Sequence, residues 1–409
     1  MSPGTTGARI ALVTGQTEGG IGRHVVSLVP ELVNRGASVE VLGPTAMRSM
    51  GAEATGAAFC PVEIPGGGAP SLTGRAFVRL VRRLRGADLV HAHGIRAGLI
   101  GGLAARLAGT RHVIVTVHNA VEGRPGAAGA AERLLAVLAE RRLYVSGDIA
   151  DRARAAVAAR AGSVVVMPVG AEIPSEELGP TAAVEARASL GLPEGARLVV
   201  SVGRLARQKG FDVLVDAAAL LDGDSVMVAV AGQGPERPML EDRIRERGAS
   251  GRVLLLGFRP DARALVAAAD VVCMPSRWEG SPLALHEAMS AGRPVVATAV
   301  GGIPALAGDA AVLVPPDDPP ALAAALRRVL GDSDLRARMG EASRAAAAAW
   351  PDAAATARRV VDLYEEVLGC PLSGASQPPR RARNPLVRAR RPPEPQDGDH
   401  PVPERRRRP

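Results

Sequence analysis

Short β-branched runs alternate with longer Ala-, Leu- and Arg-rich stretches along most of the chain. The runs are apolar throughout rather than at every second position, which is how strands buried on both faces of a parallel sheet read; the stretches between them supply the crossover helices. The pattern predicts strands at Ile10–Thr14, Val39–Leu42, Leu89–His91, Val113–Val117 and Val164–Pro168. A second series follows at Leu198–Val202, Val226–Ala231, Val253–Leu256, Val271–Met274 and Val295–Thr298. Two similar series predict two Rossmann-like α/β domains facing each other. Residues 1–173 form the first and 193–350 the second, with a linker over 174–192 where Pro174, Pro180 and Pro193 interrupt a polar stretch. Beyond Pro351, a last helix over 351–370 carries Val360, Val361, Tyr364, Val367 and Leu368 at helical spacing. Residues 371–409 turn to Pro and Arg with little to bury and read as a disordered tail.

Composition narrows the class. The 409 residues are 47% hydrophobic but only 2% aromatic, so the core is built from Ala, Val and Leu and wholesale disorder is excluded. Cys60, Cys273 and Cys370 are odd in number and far apart, which argues against a disulfide framework and a cysteine-ligated zinc site. No secretory leader and no membrane-spanning run is visible, so a cytoplasmic protein is expected. The net charge of +8 is concentrated at the end: ten arginines and four acids follow Pro371, leaving about +2 for the rest. A nucleic-acid-binding body is therefore not expected. Lys209 is the one lysine among 50 basic residues, so its position calls for a compact point charge that arginine's planar fork does not supply.

Three segments carry candidate chemistry. Strand Ile10–Thr14 opens into a glycine-rich turn with Gly19, Gly20 and Gly22 ahead of a helix beginning near Arg23. Such a turn lets a phosphate approach backbone N–H groups. The last glycine of a dinucleotide fingerprint is replaced by Val25 and the second strand ends in Leu42-Gly43, so NAD is a poor fit. After strand Leu198–Val202, Arg204 and Lys209 stand five apart in a loop and can converge on one diphosphate, stabilising a nucleotide leaving group. After strand Val271–Met274, Glu279 lies in the loop and Glu287 on the helix that Pro282 opens. The free N–H groups of Gly280, Ser281 and Leu283 face the mouth of that turn. Two carboxylates beside a phosphate-binding helix end suit a nucleoside-diphosphate sugar. A glycosidase pair would instead need both carboxylates beside one bond.

These segments resemble the family-four retaining glycosyltransferases of GT-B fold over roughly residues 8–370. Glu279 to Glu287 is similar to that family's E-x7-E motif, and Gly203–Gly210 to its G-R-L-x-x-Q-K-G loop. Gly19–Gly22 resembles its N-terminal glycine loop, and Asp88–His93 and Thr116–Asn119 its two histidine-bearing strand ends. The resemblance implies an interdomain cleft and a C-terminal helix returning to the N-domain. It makes Arg204 and Lys209 holders of the donor diphosphate, Glu279 a donor-sugar contact, Glu287 a ribose contact and His118 the residue beside the reacting centre. A hexosyl unit would pass from a UDP- or GDP-linked sugar to a hydroxyl acceptor with retention, through His118, Arg204, Lys209 and Glu279, with donor contacts from Gly19, Gly20, Gly22, Gly280, Ser281, Pro282, Leu283 and Glu287. No metal or other cofactor is implied, and no D-x-D signature stands at a strand end. Two departures are visible: Pro168-Val169-Gly170-Ala171-Glu172 stands where the family commonly has P-N-G-V-D, and Ala305 follows Pro304 where it has Glu. They bear on closure and acceptor binding.

Rival readings remain open at this point. A GT-B-like sugar-nucleotide epimerase or hydrolase would convert the donor with no acceptor, and a pyridoxal-phosphate-using phosphorylase would have only Lys209 for its Schiff base. Residues 75–85 form an amphipathic pattern, with Phe77, Leu80, Val81 and Leu84 on one face and Arg75, Arg79, Arg82 and Arg83 on the other. Together with the Arg-rich tail, it leaves open a peripheral position on anionic membrane and a lipid-linked acceptor, beside the plainer reading of a core-packing helix.

Overall fold

The computed structural model describes residues 7–374 apart from 16–19, 54, 65–69, 119–125, 158–162, 171–177, 179–180, 194 and 222–225. Two all-parallel sheets divide the chain. The first holds β1 (Arg9–Thr14), β2 (Ser38–Gly43), β3 (Ala58–Pro61), β4 (Leu89–His93), β5 (His112–Val117), β6 (Arg141–Tyr144) and β7 (Val164–Val166). The second holds β8 (Arg197–Val202), β9 (Val226–Ala231), β10 (Val253–Gly257), β11 (Val271–Met274), β12 (Val295–Thr298) and β13 (Ala311–Val314). Strand order is β3-β2-β1-β4-β5-β6-β7 in the first and β10-β9-β8-β11-β12-β13 in the second. This is the two-domain α/β architecture expected of a GT-B chain.

All ten expected strands are present, and β3, β6 and β13 are additional. β6 escapes a hydrophobicity pattern because it opens with Arg141 and Arg142. Arg142 is nonetheless buried, paired with the buried Glu132 at 3.5 Å.

Each sheet is covered on both faces. In the first, helices Pro70–Arg83, Ile95–Ala108 and Ala127–Leu138 lie over one face; helices Gly20–Asn34 and Ala353–Leu368 lie over the other. Helix Ala353–Leu368 thus returns to the N-terminal sheet, seating Val360, Val361 and Tyr364 in its core. His91 fastens it, with Nδ1 2.5 Å from the Tyr364 hydroxyl and Nε2 2.7 Å from Thr116 Oγ1. The chain continues through a turn at Leu372–Gly374 that buries Leu372, whose carbonyl accepts from the Ala8 N–H at 2.7 Å. Ordered structure therefore reaches past residue 370, and the remainder of the expected tail, 375–409, lies outside the described residues. Within the stretch read as a linker, residues 182–188 form a helix that buries Ala186 in the C-terminal core.

The amphipathic helix Pro70–Arg83 is explained by the core. Leu80 and Leu84 are fully buried, and Phe77 and Val81 pack against the same cluster. Its apolar face is therefore unavailable to a membrane, and among its described residues Val78 is the large apolar side chain left exposed. No helix of the described residues is long and apolar enough to cross a membrane. Cys60, Cys273 and Cys370 are free thiols.

Candidate functional site: a cleft between the two sheets

In open parallel sheets, a crevice forms beyond the carboxyl ends of neighbouring strands whose following helices go to opposite faces. β1 and β4 make that switch in the first sheet, and β8 and β11 in the second. The two crevices open into one cleft of about 570 Å³, lined by Gly15, Gly20, His118, Arg204, Lys209, Glu279 and Glu287 among others. The strand connectivity thus gathers segments remote in sequence.

The loop after β8 turns through Arg207–Lys209 into Gly210, whose φ of +63° a side chain rarely adopts. A Cβ there would also fall 2.0 Å from the Pro275 carbonyl oxygen, so glycine is required where this loop meets the loop after β11. The contact sets Lys209 against Glu279, whose Oε1 accepts from Nζ at 2.5 Å and from Ser276 Oγ at 2.7 Å. Glu279 is buried, and Gln208 Nε2 reaches its other oxygen at 3.5 Å. A second ion pair holds the same loop: Arg277 donates to both oxygens of Asp212, at 2.8 and 2.7 Å, and to Asp317 at 2.7 Å.

The loop after β11 then crosses to the N-terminal half. Gly280 passes so close that a Cβ would lie 2.1 Å from the His118 carbonyl oxygen and 2.6 Å from Val145. Ser281 Oγ donates to the Val169 carbonyl at 3.4 Å, and Leu283 is buried in the apolar cluster of the N-terminal sheet. Helix Leu283–Ser290 begins at this point, and its first residues, Leu283 and Ala284, line the cleft. From the opposite wall Arg23 pairs with Glu287, Nη1 to Oε1 at 3.1 Å.

The floor holds histidines. His93 ends β4 and His118 follows β5, with His93 Nδ1 3.4 Å from His118 Nε2. His24 of helix Gly20–Asn34 stands beside both. Burial pushes all three imidazoles below their ordinary range, His24 to about 4, and the neighbouring histidines push His93 and His118 further down. They are therefore neutral near pH 7.

Of the residues expected from sequence, Gly20, His118, Arg204, Lys209, Glu279, Gly280, Ser281, Pro282, Leu283 and Glu287 all line the cleft. Gly22 does not: it is buried inside its helix, because the helix starts at Gly20 rather than near Arg23. Gly19 lies outside the described residues. His93 ends one of the two histidine-bearing strands that the sequence singles out, whereas Arg23, His24 and Ser276 were not anticipated as site residues. Arg23 is adjacent to the glycine turn but gains a partner only from residue 287, which no local pattern reveals.

The cleft thus joins two α/β halves, with Arg204, Lys209 and a helix N-terminus on its lining together with His118. Residues 183–346 match the family described as Glycosyl transferases group 1, and residues 18–173 match Glycosyltransferase Family 4. A D-inositol 3-phosphate glycosyltransferase of Xylanimonas cellulosilytica is 31% identical, covering 89% of this chain and 98% of that relative. Another of that name from Corynebacterium urealyticum is 34% identical over 71% of this chain and 74% of its own. Among solved structures, that of Anabaena HepE in complex with UDP-glucose superposes with a TM-score of 0.76 at 22% identity, covering 88% of this chain and 99% of that one. The chain belongs to the family-four glycosyltransferases and has their GT-B fold.

Proposed function

We propose that the protein moves a hexosyl unit from a UDP-sugar onto a ring hydroxyl of a phosphorylated cyclitol, with retention at the anomeric carbon and no metal at the diphosphate. The observation that carries this reading is that Arg204, Lys209, the amino end of helix Leu283–Ser290 and His118 all line one cleft. As the anomeric C–O bond breaks, negative charge grows on the departing diphosphate, and preorganised cations and N–H groups stabilise it where water is excluded. Glu279 fixes the Lys209 ammonium and lies where the donor sugar would sit. Glu287 accepts from the ribose hydroxyls once Arg23 gives way. His118, neutral, accepts a hydrogen bond from a sugar or acceptor hydroxyl at the reacting centre. The relatives named for D-inositol 3-phosphate support a cyclitol acceptor, and the neighbour holding UDP-glucose supports a uridine donor.

The membrane reading reduces to electrostatics: Arg75, Arg79 and Arg82 and the Arg-rich tail supply charge for anionic lipid, without an inserted apolar face.

The test is incubation with UDP-glucose, UDP-N-acetylglucosamine and GDP-mannose, each with and without D-inositol 3-phosphate, read by mass spectrometry and NMR. A product one glycosyl unit heavier with the donor's anomeric configuration is expected from one UDP-sugar. Transfer from the GDP-sugar alone would overturn the donor assignment. Donor consumption without acceptor would favour an epimerase or hydrolase.

A further inference from the structure

His24, His93 and His118 come from three separate elements, and their rings stand at the corners of a nearly equilateral triangle. Centroid separations are 5.5 Å for His24–His93, 5.5 Å for His24–His118 and 5.7 Å for His93–His118. One nitrogen from each lies within 4.8 Å of the other two, and among the described residues no other group of three or more His, Cys, Asp or Glu side chains comes together in this way.

Three imidazoles around a tetrahedral ion at Zn–N distances of ~2.0–2.1 Å place their ligating nitrogens about 3.4 Å apart. The His93 Nδ1 to His118 Nε2 separation of 3.4 Å already matches that edge, although it is long for a hydrogen bond between two rings. The other nitrogen of that ring, His93 Nε2, is buried with no hydrogen-bond partner and is not part of this edge, so hydrogen bonds to neighbouring groups do not fix which His93 nitrogen meets the ion. His91, by contrast, has a partner on each nitrogen and is fully accounted for by packing.

We propose that His24, His93 and His118 form a three-nitrogen site for a first-row divalent transition metal, Zn²⁺ above all, on the floor of the cleft. An all-imidazole set favours zinc, copper and nickel over Mg²⁺, which prefers oxygen ligands. His118 borders the cleft, so a fourth ligand comes from that side: water, or a hydroxyl of a bound molecule. Such an ion is separate from any bound to a donor diphosphate, since it sits with the N-terminal sheet. It also ties helix Gly20–Asn34 to the ends of β4 and β5, and an ion on His118 takes up the one nitrogen of that neutral ring able to accept a hydroxyl's hydrogen bond, so zinc occupancy opposes the transfer proposed above.

The experiment is calorimetric titration of the chelator-stripped full-length protein with zinc sulfate, alongside His24→Ala, His93→Ala and His400→Ala. One equivalent of Zn²⁺ is expected for the wild type and for His400→Ala. Binding should be weakened in His24→Ala and His93→Ala by more than the ~10–100-fold that loss of an outer-shell partner costs. Where alanine prevents folding, judged by circular dichroism, His24→Gln and His93→Gln replace it. Absence of stoichiometric uptake by the wild type, or undiminished binding in either histidine variant, overturns the assignment. The readout is metal occupancy alone and does not depend on which sugar or acceptor the enzyme uses.

Discussion

Arg23 and Glu287 sit on helices from opposite halves of the chain, and their 3.1 Å ion pair spans the cleft where the donor ribose is proposed to bind. With Arg23 46% exposed, the pair adds little to folding stability, on the order of 0–1 kcal/mol. Its effect falls on ligand binding, because Arg23 occupies the carboxylate that a ribose would use. Arg23→Ala is expected to leave the melting temperature within a few degrees and to tighten UDP binding about two- to fivefold. Glu287→Ala should weaken it tenfold or more, about the 1.4 kcal/mol of one charge-assisted hydrogen bond. Calorimetry with UDP reads both.

Lys209 and Glu279 form a second pair, more deeply enclosed. Lys209→Met removes a diphosphate cation and should lower turnover by ~10²–10³. Glu279→Gln keeps the Ser276 hydrogen bond and removes the charge that fixes the ammonium. If the two act as a unit, the double variant should lose little more than Lys209→Met alone. Fully additive losses in kcat would show that they act independently.

Gly280→Ala places a methyl group where the His118 carbonyl and Val145 leave no room. The loop after β11 must then withdraw from the N-terminal half and take the helix N-terminus with it. A displacement of about 1 Å at a reacting centre costs ~10²-fold in rate. Loss of turnover on that order is expected, together with a lower melting temperature, because Leu283 is drawn out of the apolar cluster of the N-terminal sheet. A variant with normal kcat would show that the close approach is not required for transfer.

Acid stability should depend on Asp212. Burial pushes its carboxyl up, but the bidentate Arg277 guanidinium overrides this and holds it below the ordinary carboxylate value. An unfolded Asp titrates near ~3.9, so below that pH the unfolded chain binds a proton that the folded one still refuses. The pair's contribution is present above about pH 5 and is lost as pH falls through the folded value. Asp212→Asn should therefore lower the melting temperature at pH 6 and narrow the gap to wild type at pH 3. A gap that is constant with pH would remove Asp212 from this role.

What could be read from the chain follows from how local each feature is. Strands whose residues are all apolar, such as Val226–Ala231 and Val271–Met274, match at both ends because a strand buried on both faces leaves an unbroken run. β3, at a sheet edge and ending in Pro61, and β6, opening with two arginines, lack that run. The cleft lining from the C-terminal half was legible because Arg204 and Lys209, and Glu279 through Glu287, each lie within a single βα unit. The Arg23–Glu287 pair and the triangle of His24, His93 and His118 were not, since parallel crossovers alone decide which strand ends become neighbours. The apolar face of residues 75–85 illustrates the converse: its pattern was plain, and only packing distinguished a core-facing helix from a surface-seeking one.

That Lys209 is the one lysine of the chain, with its ammonium held by Glu279 and its side chain 20% exposed, gives the cleft a built-in chemical address. Amine-reactive reagents have two targets in this chain, the α-amino group and Lys209, and the ion pair with Glu279 shields the latter, so a limited first acylation depletes the α-amino group. A reporter attached afterwards marks the part of the cleft that Lys209 lines. The rate of that second modification measures how often the Glu279 pair opens, and a bound nucleotide should slow it in proportion to occupancy, so donor affinity can be read without knowing the acceptor.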